Sequence, residues 1–332
     1  MREARFMLNI AILAYDGCMG AEVFGFADII LVANRIWAFH RPAEPPPFAC
    51  TIVSAGRVNV RVAGGAIVQP VPSPHHADLL IVPAFDFARA SDIDRVVAGL
   101  GPEIAMIRGA AGKHRVASVC GGAFLLAEAG LLAGRRATTA WAMAETFMRR
   151  YPTVRLDPKA MLVRDGEIIT AGAFTAYADL ALAIVADHAG AAIARAVARF
   201  SLIDTARSSQ APFFDKEMMR RPATPFAREV EHWLAAHIAD RYSLDAAAAA
   251  FRLSSRTFLR RVKEATGRTP LALLQGIRLD QAQRLLETTD LGIAEIAARI
   301  GYQDVPSFHR LFQRTIALTP AAYRRRFRGG IG

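Results

Sequence analysis

The sequence predicts an α/β domain with a doubly wound, mostly parallel sheet, followed by an all-α domain with two helix-turn-helix units. Three observations carry this. Short apolar, β-rich runs alternate with helical patterns through the first 200 residues. The alternation stops in a stretch that carries Pro212, Pro222 and Pro225. From Phe226 onward only helical periodicity remains, and the segment repeats itself at an offset of 50 residues.

In order, Met7–Ala14 is a short apolar run, and a helical pattern follows over about Ala21–Ile36. Phe48–Ala55 is β-rich after a proline-rich break. Ala77–Pro83 and Arg115–Cys120 are apolar enough for strands covered on both faces. Helical patterns occupy Gly122–Leu132, Ala140–Tyr151 and Thr175–His188. Between the last two, Met161–Val163 and Glu167–Ala171 flank Asp165-Gly166, a hairpin turn signal. The expected organisation is a domain at 1–205, a linker at 206–225 and a helical domain at 226–328.

Composition narrows the function. The chain has 332 residues, 53% hydrophobic and 21% charged, which excludes a disordered chain. No uncharged apolar run reaches membrane-spanning length, and no secretory leader pattern opens the sequence. Three cysteines, Cys18, Cys50 and Cys120, make neither a disulfide framework nor a zinc pattern. The expectation is a cytoplasmic protein with no metal or cofactor. Net charge is +11, of which residues 223–332 supply +7, with 17 Lys/Arg against 10 Asp/Glu. That asymmetry points to a polyanion partner for the last third. An arginine-rich compositional habit is the competing explanation, since only four of the 41 basic residues are Lys.

In the repeat, Ala247, Ala248, Phe258, Arg260, Thr269 and Pro270 recur as Ala297, Ala298, Phe308, Arg310, Thr319 and Pro320. Each unit reads as helix, tight turn, helix. In the first, Ser243 caps Leu244–Phe251, and Ser255–Ala265 stops at Gly267. In the second, Ile293–Ile300 leads through Gly301–Asp304 into Val305–Thr315. Leu271–Glu287 joins the units. Thr269-Pro270 and Thr319-Pro320 each read as an N-cap followed by Pro at the first helical position. At 100° per residue, Phe258, Val262 and Ala265 back a face carrying Arg256, Arg260 and Lys263, and Ser255 at the helix start is a further candidate DNA contact. Phe308, Leu311 and Phe312 back a face carrying Ser307, Arg310, Gln313 and Arg314, with His309 beside it. An apolar-backed, Arg-rich helix fits a DNA major groove, and two of them suit successive turns about 34 Å apart. Solvated charges on two amphipathic helices are the alternative.

Residues 226–328 resemble the AraC/XylS-type DNA-binding domain. The match runs through Leu253–Arg261, Thr266–Pro270, Arg278–Leu286, Ile293–Ala297, Gly301-Tyr302, Ser307–Phe312 and Thr319–Arg324. One departure is Ala317, where the family usually has Gly. The resemblance implies promoter DNA as partner and transcriptional regulation, with RNA polymerase as a further partner and activation as the output.

In the first domain, Val116–Val119 runs into Cys120, then Gly121-Gly122 and a helix. A strand–Cys–Gly-Gly–helix turn is a nucleophile elbow, with the thiol at a helix N-terminus. A small buried hydrophobe at a strand end is the competing reading. Asp16-Gly17, Glu22, the Cys120 elbow, Ala129–Thr139 and Thr170–Ala173 resemble the PfpI-like branch of the class I glutamine amidotransferase-like superfamily over about residues 7–190. That implies a flavodoxin-like doubly wound sheet. Joined to the C-terminal module, it is the layout of GlxA-like transcriptional regulators. In enzymes of that superfamily a Glu near the first strand bonds the Cys, and a His after the Thr-Thr pair assists it. Glu22 fits the first role, whereas Ala140 stands at the second. His75, His76 and His114 do not fit the spacing.

The expected function is therefore a DNA-binding regulator, not an enzyme, controlled by a small, nitrogenous effector. The expected effector site combines Glu22, Cys120, Gly121, Gly122, Trp141 and Phe174 at the C-terminal ends of the strands. Trp141 as ordinary core and Glu22 as a solvated helix residue are the plainer readings. A Cys120-dependent hydrolase, amidase or glyoxalase-like enzyme, with Glu22 assisting, is the alternative function. A homodimer through the first domain is expected, and a first domain that only dimerises is the third reading.

Overall fold

The computed structural model describes residues 7–72, 77–205, 207–214 and 224–328. His75 and His76 lie outside them. The chain divides into two compact units, Met1–Phe214 and Asp215–Gly332.

The first unit opens with β1 (Leu8–Leu13), the 21-residue α1 (Gly20–His40) and β2 (Phe48–Ser54). Three two-residue strands follow: β3 (Val60–Arg61), β4 (Ile67–Val68) and β5 (Val71–Pro72). Next come β6 (Leu79–Val82), α2 (Ile93–Ala98), α3 (Gly101–Ala110), β7 (Arg115–Val119) and α4 (Gly122–Glu128). The unit is completed by β8 (Arg136–Ala137), α5 (Ala144–Arg150), β9 (Arg155–Leu156), β10 (Leu162–Asp165), β11 (Ile168–Ala171), α6 (Ala176–Ala189) and α7 (Ala191–Phe200).

Seven strands form the main sheet in the order β10-β11-β7-β6-β1-β2-β5. All neighbours are parallel except the β10–β11 hairpin, which turns at Asp165-Gly166 as its sequence predicts. The strand order steps outward in both directions from β1 and β6, the mark of a doubly wound sheet. Every residue of β6 and β11 is buried, which accounts for the uninterrupted apolar sequence of β6, while β11 carries one buried polar residue, Thr170. One group of helices, α1, α6 and α7, packs together, and α3 packs on α4. α1 is long and apolar enough to cross a membrane by length and composition. Here Val23, Phe26, Ile30, Ala33 and Trp37 bury one side of it in the core of the unit.

The first unit runs past the expected boundary at 205. Arg207, Ser209 and Gln210 hydrogen-bond back onto it, and Gln210, Ala211 and Pro212 are buried. The proline-bearing composition read as linker describes a segment whose backbone is pinned by side chains instead of by a regular ladder. Of the remaining linker, 206 and 215–223 lie outside the described residues.

The second unit is all helix among its described residues: α8 (Pro225–Ala236), α9 (Leu244–Ala250), α10 (Ser255–Thr266), α11 (Pro270–Thr288), α12 (Ile293–Arg299), α13 (Val305–Ile316) and α14 (Pro320–Phe327). The caps are where the sequence puts them. Ser243, Thr269 and Thr319 each accept a backbone N–H three residues on, at 3.2 Å. Ser254 and Asp304 do the same at the starts of α10 and α13. Two separate cores result. Val230, Leu234, Ala247, Phe258, Val262, Leu273 and Leu274 build the first, and Leu279, Ala282, Leu286, Ile296, Phe308, Phe312 and Tyr323 the second. α11 gives its first half to one and its second half to the other. At the junction Arg278 is buried and donates to the carbonyls of Ile238 at 3.0 Å and Asp240 at 2.9 Å.

Candidate functional site

β7 ends in the elbow. Cys120 takes a φ of 52°, in the left-handed region that a side chain disfavours. Its N–H donates to the carbonyls of Ala171 at 3.0 Å and Gly172 at 2.9 Å. Its own carbonyl accepts from the Thr139 hydroxyl at 2.7 Å. Gly122 must be glycine for a steric reason: a Cβ there would stand 2.3 Å from the Val82 carbonyl oxygen. The helix therefore starts directly against the end of β6, and the Cys120 side chain is held over the C-terminal ends of the parallel strands.

Glu22 stands near enough to Cys120 for a carboxylate charge to act on the thiol, but no hydrogen bond joins the two among the described residues. Glu22 is 1% exposed, which removes the reading of a solvated helix residue. Its Oε2 accepts the Ala84 N–H at 2.6 Å, and its Oε1 has no hydrogen-bond partner among the described residues. Burial raises the Glu22 carboxyl to about 8, against a downward pull from the Ala84 N–H. Burial pushes the Cys120 thiol up to about 12, and the nearby Glu22 charge adds to the rise. Backbone N–H groups of Gly121 and Phe174 face the sulfur and pull the other way. Below about pH 8 the pair is a carboxylic acid beside a neutral thiol, and above it the Glu22 charge further disfavours the thiolate. Ala140, which stands where the resemblance expects a base, is buried and its side chain supplies no proton acceptor.

Trp141 and Phe174 flank the elbow differently. Phe174 is 42% exposed. Trp141 is neither free nor simple core. It stacks on Phe214, with ring centroids 5.6 Å apart and planes at 30°. Gly121 packs against Met143, which no sequence signal had placed there. Thr139 and Gln210 were missed as well. The Thr-Thr pair was visible only as part of a resemblance, and Gln210 sat in a stretch whose prolines read as linker.

In the second unit, Arg256, Arg260 and Lys263 are exposed on α10, opposite buried Phe258 and Val262. Arg260 is engaged by Glu264 at 2.9 Å, one turn along. Ser255 is half-buried and bonds Asp245 of α9, so it braces the turn between the helices. On α13, Arg310, Gln313 and Arg314 are exposed opposite Phe308, Leu311, Phe312 and Ile316. Arg310 donates to the Ser307 hydroxyl at 2.8 Å. His309 is half-buried at the edge of that face. Ala317 ends α13 at a φ of 62°, the left-handed position that Gly267 fills after α10.

Comparison with known proteins agrees with this division. Residues 105–187 match the DJ-1/PfpI family model, and residues 247–326 match a helix-turn-helix domain model. Over 148 residues, 44% of this chain, it is 36% identical to an uncharacterized protein in the cpoL 5′ region of Streptomyces lividans, 96% of which it covers. Over 217 residues it is 32% identical to the HTH-type transcriptional regulator GlxA of Rhizobium meliloti. That alignment takes in 64% of this chain and 65% of GlxA, so the chain spans just under two thirds of that relative. A crystal structure of a candidate transcriptional regulator from Vibrio parahaemolyticus shares the fold, at 20% identity and a TM-score of 0.50. It aligns over 59% of this chain and 99% of its own length.

Proposed function

We propose, from the premise that the chain belongs to the regulators joining a DJ-1/PfpI domain to an AraC-type helix-turn-helix domain, that it is a sequence-specific, effector-controlled transcription factor. The observation that carries the reading is the pair of exposed basic faces on α10 and α13, each backed by a buried aromatic core. Arg256, Arg260 and Lys263 on the one, and Ser307, His309, Arg310, Gln313 and Arg314 on the other, are the groups offered to two major-groove segments. Ser255 serves by bracing its helix. Promoter DNA in the cytoplasm is the partner, with RNA polymerase recruited for activation.

The effector is a small molecule bound at Glu22, Cys120, Gly121, Gly122, Trp141 and Phe174. A nitrogenous ligand suits the unpartnered Glu22 oxygen and the Trp141 and Phe174 rings. Turnover is disfavoured by the neutral thiol and by Ala140. A homodimer through the first unit would present four helix-turn-helix units. The exposed Phe24 and Leu31, two turns apart on α1, support an apolar contact there.

The test has two parts. Full-length protein is used to select duplexes from a random DNA pool, and binding to the selected sequence is then measured by anisotropy. Thermal melts against amino acids, amides and quaternary amines seek the effector, each hit being checked for chemical change. A ligand at 100 times its Kd raises stability by about 2.7 kcal/mol. Selection that enriches no sequence overturns the DNA reading, and a consumed hit overturns the sensor reading in favour of an enzyme.

A further inference from the structure

The stretch that leads out of the first unit is built into its candidate effector site. Gln210 is 2% exposed, and every bond its amide makes goes to the loops that shape the elbow or to their immediate neighbours. Its Oε1 accepts the Ala173 N–H at 2.8 Å. Its Nε2 lies 3.0 Å from the Thr139 carbonyl, 3.0 Å from the Ala160 carbonyl and 3.2 Å from the Pro158 carbonyl. The residue after Ala173 is Phe174, whose N–H faces the Cys120 sulfur, and the Thr139 hydroxyl holds the Cys120 carbonyl. Gly172, whose carbonyl holds the Cys120 N–H, has no room for a Cβ, which would meet the Gln210 amide at 2.4 Å. Four residues further on, Phe214 covers one face of Trp141.

We propose that residues 207–214 form a strap whose docking is coupled to the state of the Cys120 site, with Gln210 as the positioning residue and the Phe214–Trp141 stack as its outer latch. A ligand that shifts the Thr139 or Gly172–Phe174 backbone, or competes for Trp141, releases the strap, and strap release loosens the site. The coupling is reciprocal by thermodynamic necessity, so it is readable from either end. Because the strap continues into the chain that reaches the DNA-binding unit, its release is the output signal. That last step rests on the regulatory reading above. The coupling itself does not, and its test uses neither DNA nor effector.

The test measures alkylation by iodoacetamide at pH 9 in the full-length chain, read by peptide mass spectrometry at Cys120 and at Cys50 of β2. Gln210→Ala is expected to speed alkylation of Cys120 tenfold or more and leave Cys50 unchanged. Phe214→Ala, which removes only the stack, is expected to act in the same direction, severalfold. If Gln210→Ala misfolds, both cysteines speed up together, and Phe214→Ala then decides. From the other end, hydrogen exchange over 207–214 is expected to accelerate once Cys120 is alkylated. Cys120 rates unchanged in the folded variants, or both cysteines accelerating equally in both, would overturn the proposal. So would exchange over 207–214 that is indifferent to Cys120 alkylation.

Discussion

Glu22 is fully buried and Cys120 half-buried beside it, and desolvation moves both toward their neutral forms. For Glu22 this has a consequence for stability. The unfolded carboxyl titrates near 4.5 and the folded one near 8. Between those values the native state holds a proton that the unfolded state has lost. Stability contributed by the protonated acid is therefore full below the lower value and is lost as pH rises through the higher one. The slope approaches about 1.4 kcal/mol per pH unit inside the window. Urea unfolding at pH 5 and pH 8 should show Glu22→Gln gaining stability relative to the parent at the higher pH, and parallel behaviour would contradict the burial argument. For Cys120, a thiol raised to about 12 leaves few thiolates near neutrality. Its alkylation at pH 8 should run about 10³-fold slower than that of an ordinary exposed thiol. Cys120 was legible because a strand, Cys-Gly-Gly and a helix make a local pattern, whereas Glu22 was legible only through the family resemblance. Gln210 was not, since its partners lie at 138–139, 158–160 and 173, and no local pattern marks a side chain that pins a loop from a distance.

Among the elements, the helices of the second unit were read most closely, because their caps are sequence-local. Ser243, Thr269 and Thr319 needed no tertiary information to be recognised. The short strands β3, β4, β5, β8 and β9 escaped, since two residues cannot show a period. The helix pair α2 and α3 escaped too, its buried positions being too few for a clear stripe. Two element-scale outcomes follow. Ala317 sits at a φ of 62°, which costs an L-residue about 1–2 kcal/mol, partly offset by the entropy glycine would lose. Ala317→Gly should raise stability by roughly 0.5–1 kcal/mol in a denaturant titration, and a loss would show that the α13 end is held by other contacts. Arg278 ties α11 to the segment after α8 through two backbone carbonyls. Arg278→Met should cost about 2–3 kcal/mol, because buried carbonyls lose a charged donor. Arg278→Lys should recover only part of it, lacking the planar fork.

For the whole molecule, the sequence already separated a nearly balanced first part from a basic last third, and it found the tandem unit by its offset of 50 residues. It placed the domain boundary too early, because proline content was taken as evidence of a linker where buried side chains dock the chain. What the repeat means for function is a claim about two surfaces acting together. Each helix alone would be an ordinary amphipathic helix with solvated arginines. Two with the same apolar back, the same cap position and basic fronts are what the proposed bipartite reading of DNA requires. The most direct test is binding of the full-length chain to its selected duplex across a salt series, compared with Arg256→Ala, Arg310→Ala and the double variant. The account predicts about tenfold weaker binding for each single change and a larger loss for both. Loss confined to one base position identifies base reading, and uniform loss with a salt slope shallower by about one identifies a phosphate contact. Affinity and salt slope unchanged in the double variant would contradict the assignment of α10 and α13 as the DNA-reading helices.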